Sequence, residues 1–157
     1  MVTGKISFNL KNQTSELNKL CSRLEGFCST IGLDKKYMFE VNLALDELFT
    51  NIVSYGYDDD SDHLVRIDIS CLDDILHIRI EDDGKPFNPM KAEAPDVKCI
   101  LEDRDVGGLG IFLIKKIMDQ IDYKRENGKN ILLLKKKIGC RSSHPPADDR
   151  NGPAVDG

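Results

Sequence analysis

Two periodicities divide the chain into strands and helices. Lys5 to Leu10 alternates, with Ile6, Phe8 and Leu10 apolar, as a half-buried strand does. The period then lengthens. Leu17, Leu20, Leu24, Phe27 and Cys28 share one face of a helix that Thr14 or Ser15 caps, that runs to Ile31 and that Gly32 ends. Asp34 caps a longer helix through Val53, whose inward stripe is Met38, Val41, Leu45, Leu48 and Ile52. Tyr55-Gly56-Tyr57 and the acidic run Asp58 to Asp62 read as a loop. Alternation returns in Leu64 to Leu72 and in Ile75 to Ile80, and Asp73-Asp74 between them makes a hairpin turn, so these strands pair antiparallel.

Residues 84–106 break the pattern with Pro86, Pro89 and Pro95 and show little sustained periodicity. A loop of that length inside a compact domain is usually functional, often a lid. Gly107 to Ile121 reads as a helix, with Ile111, Ile114, Ile117 and Met118 apolar. Tyr123 to Arg125 and Asn130 to Ile138 form a last hairpin through Asn127-Gly128, a strong turn dipeptide. This order predicts an α/β two-layer sandwich: a mixed, largely antiparallel sheet with helices on one face and a long lid. Arg141 to Gly157 is rich in Pro, Asp, Ser and Gly with little to bury. The expected organisation is a folded domain over 1–139 and a disordered tail over 140–157.

Composition narrows the function classes. A chain of 157 residues, 40% hydrophobic and 31% charged, can bury a real core as one domain. A net charge of -5 argues against broad binding to nucleic-acid phosphates. No apolar run approaches the roughly 20 residues of a membrane span, and Met-Val-Thr-Gly-Lys lacks the apolar core of a signal peptide. A cytoplasmic address is expected. The five cysteines, Cys21, Cys28, Cys71, Cys99 and Cys140, are dispersed, and His63, His77 and His144 make no cluster with them. They read as inert thiols rather than a zinc site or a disulfide framework.

Chemistry concentrates in three segments. Glu47 and Asn51 lie four apart on the long helix, at the edge of its buried stripe, about 100° round from it at roughly 3.6 residues per turn. An Asn oxygen is a neutral ligand for Mg²⁺, and a carboxylate one turn away can take a proton from a hydroxyl or orient a water. The same pair could equally be a solvated helix edge. Asp82-Asp83-Gly84 follows a strand directly, where a carboxylate can accept from an exocyclic amine and Gly84 lets the backbone approach a flat ring. Asp and Gly also make plain turns. Gly107-Gly108-Leu109-Gly110 opens a helix whose free N–H groups attract phosphate, or serves as a hinge before a core helix. It is neither the dinucleotide GxGxxG nor the P-loop.

Together these segments resemble the GHKL ATPase superfamily, and within it the small stand-alone anti-sigma-factor serine-protein kinases. Ala44 to Val53, with Tyr55-Gly56-Tyr57 beyond, is similar to that family's N box. Glu81-Asp82-Asp83-Gly84-Lys85-Pro86-Phe87 is similar to its first glycine box, and Val106 to Lys116, with Met118-Asp119 and Tyr123 beyond, to its second. The likeness covers residues 5–138. It implies a Bergerat-type ATP-binding sandwich with Asn51 holding Mg²⁺, Glu47 as general base and Asp82 on the adenine amine beside Gly84. Gly107, Gly108, Leu109 and Gly110 would meet the phosphates, and Arg104 in the lid would be a further phosphate contact. The family implies a STAS-type anti-anti-sigma partner phosphorylated on serine, a sigma factor as a second partner, and a homodimer. One departure stands out. The first glycine box commonly runs DxGxG, and Pro86 takes the place of its second glycine. A Pro-Phe ending is familiar among stand-alone members, which implies that nucleotide binding survives.

The leading expectation is therefore a serine-protein kinase. An alternative is a non-catalytic switch that binds ATP or ADP and sequesters a partner. A third reading, the detached half of a histidine-directed sensor kinase, is disfavoured because none of the three His lies in a long helix.

Overall fold

Alternating apolar residues place each strand's inner face, and cross-strand register joins those faces into one wall. In the computed structural model, which describes residues 2–89 and 107–138, β1 (Val2–Lys11) lies against β2 (Leu64–Leu72), with Phe8 opposite Ile67 and Leu10 opposite Val65. β2 turns at Asp73-Asp74, both with positive φ, into β3 (Ile75–Asp82). β4 (Gln120–Glu126) turns at Asn127-Gly128, again with positive φ at both residues, into β5 (Lys129–Lys137). These are the conformations of type I′ hairpin turns.

The strand order is β1-β2-β3-β5-β4. Every pairing among the described strands is antiparallel, so the sheet is simpler than the mixed one expected. The reason is topological: β3 and β4 run in the same direction, but the hairpin folds β5 back between them, and β5 pairs antiparallel with both.

The helices are α1 (Leu17–Ile31), α2 (Lys35–Tyr55) and α3 (Gly107–Ile117). Asp34 caps α2 as expected, its side chain accepting the Lys36 N–H. Neither Thr14 nor Ser15 caps α1. Both fall in a 3₁₀ turn, Thr14–Glu16, where the Glu16 carboxylate accepts the Lys11 N–H at 3.0 Å. α3 stops at Ile117 rather than Ile121. Asp119 N–H already joins the ladder at Lys135 O, 2.9 Å away, and Lys136 Nζ takes the Ile117 carbonyl at 2.7 Å. Ile121 fits a helix's period with Ile114, Ile117 and Met118 as well as a strand's alternation with Tyr123, and the β5 partner decides between them.

One core fills the space between the helices and one face of the sheet. Leu20, Leu24, Phe27, Val41, Leu45, Phe49 and Ile114 meet Leu10, Ile67, Ile69, Ile78 and Leu134 there, all nearly inaccessible. The other face of β2 and β3 carries charges: Arg79 reaches Glu81 at 2.6 Å and Asp68 at 3.7 Å, and Lys129 reaches Glu81 at 3.0 Å. This is the two-layer sandwich expected, helices on the apolar side. Lys136 is the one buried basic residue on the inner face among the described residues. It is 7% exposed and pairs with Glu40 of α2 at 3.0 Å. Cys21, Cys28 and Cys71 are free thiols, and burial pushes Cys28 up to about 11. Cys99, Cys140 and the expected tail over 140–157 lie outside the described residues.

Candidate functional site

A cavity of about 610 Å³ opens where α2, α3 and the ends of β3, β4 and β5 converge, within the range of about 300–1,000 Å³ typical of small-molecule sites. Leu48 and Ile52 from α2, Ile80 from β3, Ile111 from α3 and Leu132 from β5 make its walls apolar. Asn51, Asp82, Lys85, Tyr123 and Asn130 supply the polar groups.

Asn51 is 9% exposed, and its Nδ2 has no hydrogen-bond partner among the described residues. A buried amide is normally satisfied, so an unspent polar atom in a cavity wall fits a residue kept for a ligand. Among the described residues no cluster of three or more His, Cys, Asp or Glu could hold a metal. The unpaired Asn51 group is an N–H donor; a metal would instead take the side-chain oxygen, the neutral kind of ligand that suits Mg²⁺ beside phosphates. Glu47, one turn earlier, is not among the residues lining the cavity. It lies against Gly110 in the first turns of α3, where a Cβ on residue 110 would collide with the Glu47 carboxylate. A carboxylate beside a helix N-terminus is held favourably by the helix dipole. Burial, and then the charge of Glu47, raise the neighbouring Asp46 carboxyl.

Asp82 closes β3 and is 6% exposed. Its Oδ1 accepts the Gly84 N–H at 2.9 Å and Asn130 Nδ2 at 3.0 Å. Its other oxygen accepts none among the described residues. Burial raises the Asp82 carboxyl, against the pull of those two donors. Packing alone requires a glycine at position 84: a Cβ there would stand 2.7 Å from the Gly56 carbonyl and 2.9 Å from Asp82 Oδ1. Lys85 N–H donates to the same Gly56 carbonyl at 2.7 Å, tying the turn after β3 to the end of α2.

Sequence reasoning passed over two groups. From the sequence alone Asn130 is only the start of a strand. It stands opposite Asp82 in the β3–β5 register and donates to the Gly84 and Lys85 carbonyls as well, at 3.4 and 2.8 Å. An Asn at an inward strand position, in line with Leu132 and Leu134, is the signal that marks it. The second group is at the rim. His63 stacks on Tyr57 with ring centroids 4.1 Å apart and lies between Asp59 (2.8 Å) and Asp83 (3.1 Å), while Tyr57 donates to Asp83 at 3.0 Å. The Asp59 and Asp83 hydrogen bonds raise the imidazole, and those from His63 and Ser61 lower Asp59.

The structure thus brings Asn51 and Asp82 to one cavity, Gly84 beside Asp82, and Glu47 against Gly110 at its margin. Gly107, Gly108, Leu109 and Gly110 belong to α3. Arg104 and the lid beyond Pro89 lie outside the described residues.

Against known proteins, a family model described as a histidine kinase-like ATPase domain matches residues 10–136. A protein named serine-protein kinase RsbW, from Listeria monocytogenes, is 28% identical over 116 residues, 71% of this chain and 74% of that protein. An anti-sigma F factor from Clostridium novyi is 25% identical over 134 residues, 84% and 92% of the two chains. A solved structure of RsbU and RsbW domains from Mycobacterium tuberculosis aligns with a TM-score of 0.64 at 14% identity, over 87% of this chain and 33% of that one. At that identity the likeness concerns the fold.

Proposed function

Because the chain belongs to the histidine kinase-like ATPase domain family, we propose that it is an ATP-binding anti-sigma-factor-type regulator that phosphorylates a serine of a STAS-type antagonist protein. The observation that carries this reading is one cavity lined both by a buried Asp82 with an oxygen to spare and by a buried Asn51. Relatives named serine-protein kinase RsbW and anti-sigma F factor support the regulatory half.

In this mechanism Asp82 accepts the exocyclic amine of adenine, while Leu48, Ile52, Ile80 and Ile111 surround the nucleotide and exclude water. The backbone of Gly107, Gly108, Leu109 and Gly110 meets the phosphates, with Arg104 reaching them from the lid. Asn51 holds the metal, and bound Mg²⁺ supplies offset for phosphate charge. Glu47 takes the proton of the attacking serine hydroxyl. A sigma factor is the second partner, and the protein works in the cytoplasm as a homodimer. Among the described residues no helix is long and apolar enough to cross a membrane.

One observation favours a second reading. Glu47 stands against Gly110 and off the cavity lining, which suits a switch that binds nucleotide and sequesters its partner without transferring phosphate. Radiolabelled ATP, Mg²⁺ and candidate STAS proteins separate the two. Label on a partner serine that Glu47→Ala abolishes, while nucleotide still binds, supports the kinase. Tight partner binding without transfer supports the switch, and failure to bind ATP sinks both.

A further inference from the structure

We propose that Asn130 is a positioning residue that fixes the ligand-facing oxygen of Asp82 as a hydrogen-bond acceptor and so sets the preference for a 6-amino over a 6-oxo purine. The proposal rests on the adenine-nucleotide reading above and deepens it.

Asn130 is 6% exposed, and its amide is fully engaged. Nδ2 faces acceptors: Asp82 Oδ1 at 3.0 Å, Lys85 O at 2.8 Å and Gly84 O at 3.4 Å. Oδ1 faces donors: the Tyr123 hydroxyl at 2.5 Å, Arg125 Nη1 at 3.0 Å and the Phe87 N–H at 3.4 Å. Flipping the amide would set like against like on both sides, so the surroundings dictate its orientation. Arg125 secures the arrangement from β4, its Nη1 also donating to the Gly84 carbonyl at 2.8 Å.

The consequence falls on Asp82. Two N–H groups, from Gly84 and Asn130, occupy Oδ1, so any proton on this carboxyl must sit on Oδ2. There it would turn the oxygen offered to a ligand from acceptor into donor. Burial favours the protonated form, and Asp83 beside it adds to that, while Asn130, Gly84 and Arg125 favour the charged form. Tyr57, from the loop after α2, is a further titratable group near Asp82, and Lys85 lines the same cavity. Of the groups that keep Asp82 ionised, Asn130 alone is an uncharged side chain that an isosteric acid can replace. A 6-amino group needs an acceptor opposite it and a 6-oxo group needs a donor. The charge state of Asp82 therefore decides which base fits.

Calorimetric titration of wild type, Asn130→Asp and Asn130→Ser with ATP and with inosine triphosphate, between about pH 5.5 and pH 8, tests this. Wild type should prefer ATP by about tenfold or more throughout, as one lost hydrogen bond with an oxygen left facing an oxygen predicts. Wild type that binds neither nucleotide refutes the nucleotide reading itself. Asn130→Asp puts two carboxyl groups about 3 Å apart that share a proton, and its ATP preference should shrink about tenfold and become pH-dependent. Asn130→Ser, which leaves Asp82 without the bridging amide, should lose preference toward acid pH. If both variants, or whichever of them folds by circular dichroism, weaken the two nucleotides equally with a flat pH profile, Asn130 is merely structural and the proposal falls.

Discussion

Gly110 and Gly26 show how two glycines in helices answer to different physics. A Cβ on Gly110 would strike the Glu47 carboxylate, whereas one on Gly26 would meet nothing within 4 Å. Gly110→Ala should force the Glu47 carboxylate, the flexible end of its side chain, to swing aside, with a stability loss of only about 1 kcal/mol read by urea unfolding. Gly26→Ala, at an exposed helical position, should instead stabilise by about 1 kcal/mol, because alanine loses less backbone entropy in a helix. His63 gives a pH-dependent counterpart. Its pKa is raised from 6.5, so the contribution of its ion pairs is fully present below 6.5 and fades as pH rises through the raised value. Asp59, lowered from 3.8, loses its share only as pH falls through its own depressed value. Thermal melts should therefore show His63→Gln below wild type near about pH 5.5, with the gap closing by about pH 9. A gap that widens with pH would contradict the assignment.

At the scale of elements, Lys136 joins three of them. It donates to the last carbonyl of α3, pairs with Glu40 of α2 and itself belongs to β5. Removing one partner of such a pair leaves the other charge stranded. Glu40→Ala should cost about 3 kcal/mol in urea unfolding, and Glu40→Leu with Lys136→Met should recover most of it. Additive losses in the double variant would show that the pair is not coupled.

The same elements show what could be read before the structure. β2, β3 and their turn were legible because alternation and an Asp-Asp pair sit within one short stretch. Where α3 ends and β4 begins was not, since Ile121 satisfies either period and a distant strand settles it. Glu47, Asn51 and Asp82 were legible as local motifs, and the cavity does gather Asn51 and Asp82. Asn130 and His63 stayed hidden because their partners come through register and loop contact across 48 and 20 residues. No local pattern carries that.

For the molecule as a whole, nucleotide binding and folding should be coupled. A ligand at a hundred times its Kd adds about 2.7 kcal/mol to the unfolding free energy. Chemical denaturation with and without ATP and Mg²⁺ should show that increment, and hydrogen exchange should slow in the turn from Asp82 to Phe87 and at the start of β5. Protection confined to α1 would place the ligand elsewhere.

The position of β5 has a consequence during synthesis. The last strand among the described residues is an interior one, between β3 and β4. Until the ribosome has released residues through Ile138, β3 has an open edge and Asp82 has no Asn130. The cavity cannot be completed on a nascent chain before β5 has emerged. A stalled chain ending before Asn130 should fail to retain on an ATP resin, whereas one extended well past Ile138, clear of the exit tunnel, should be retained.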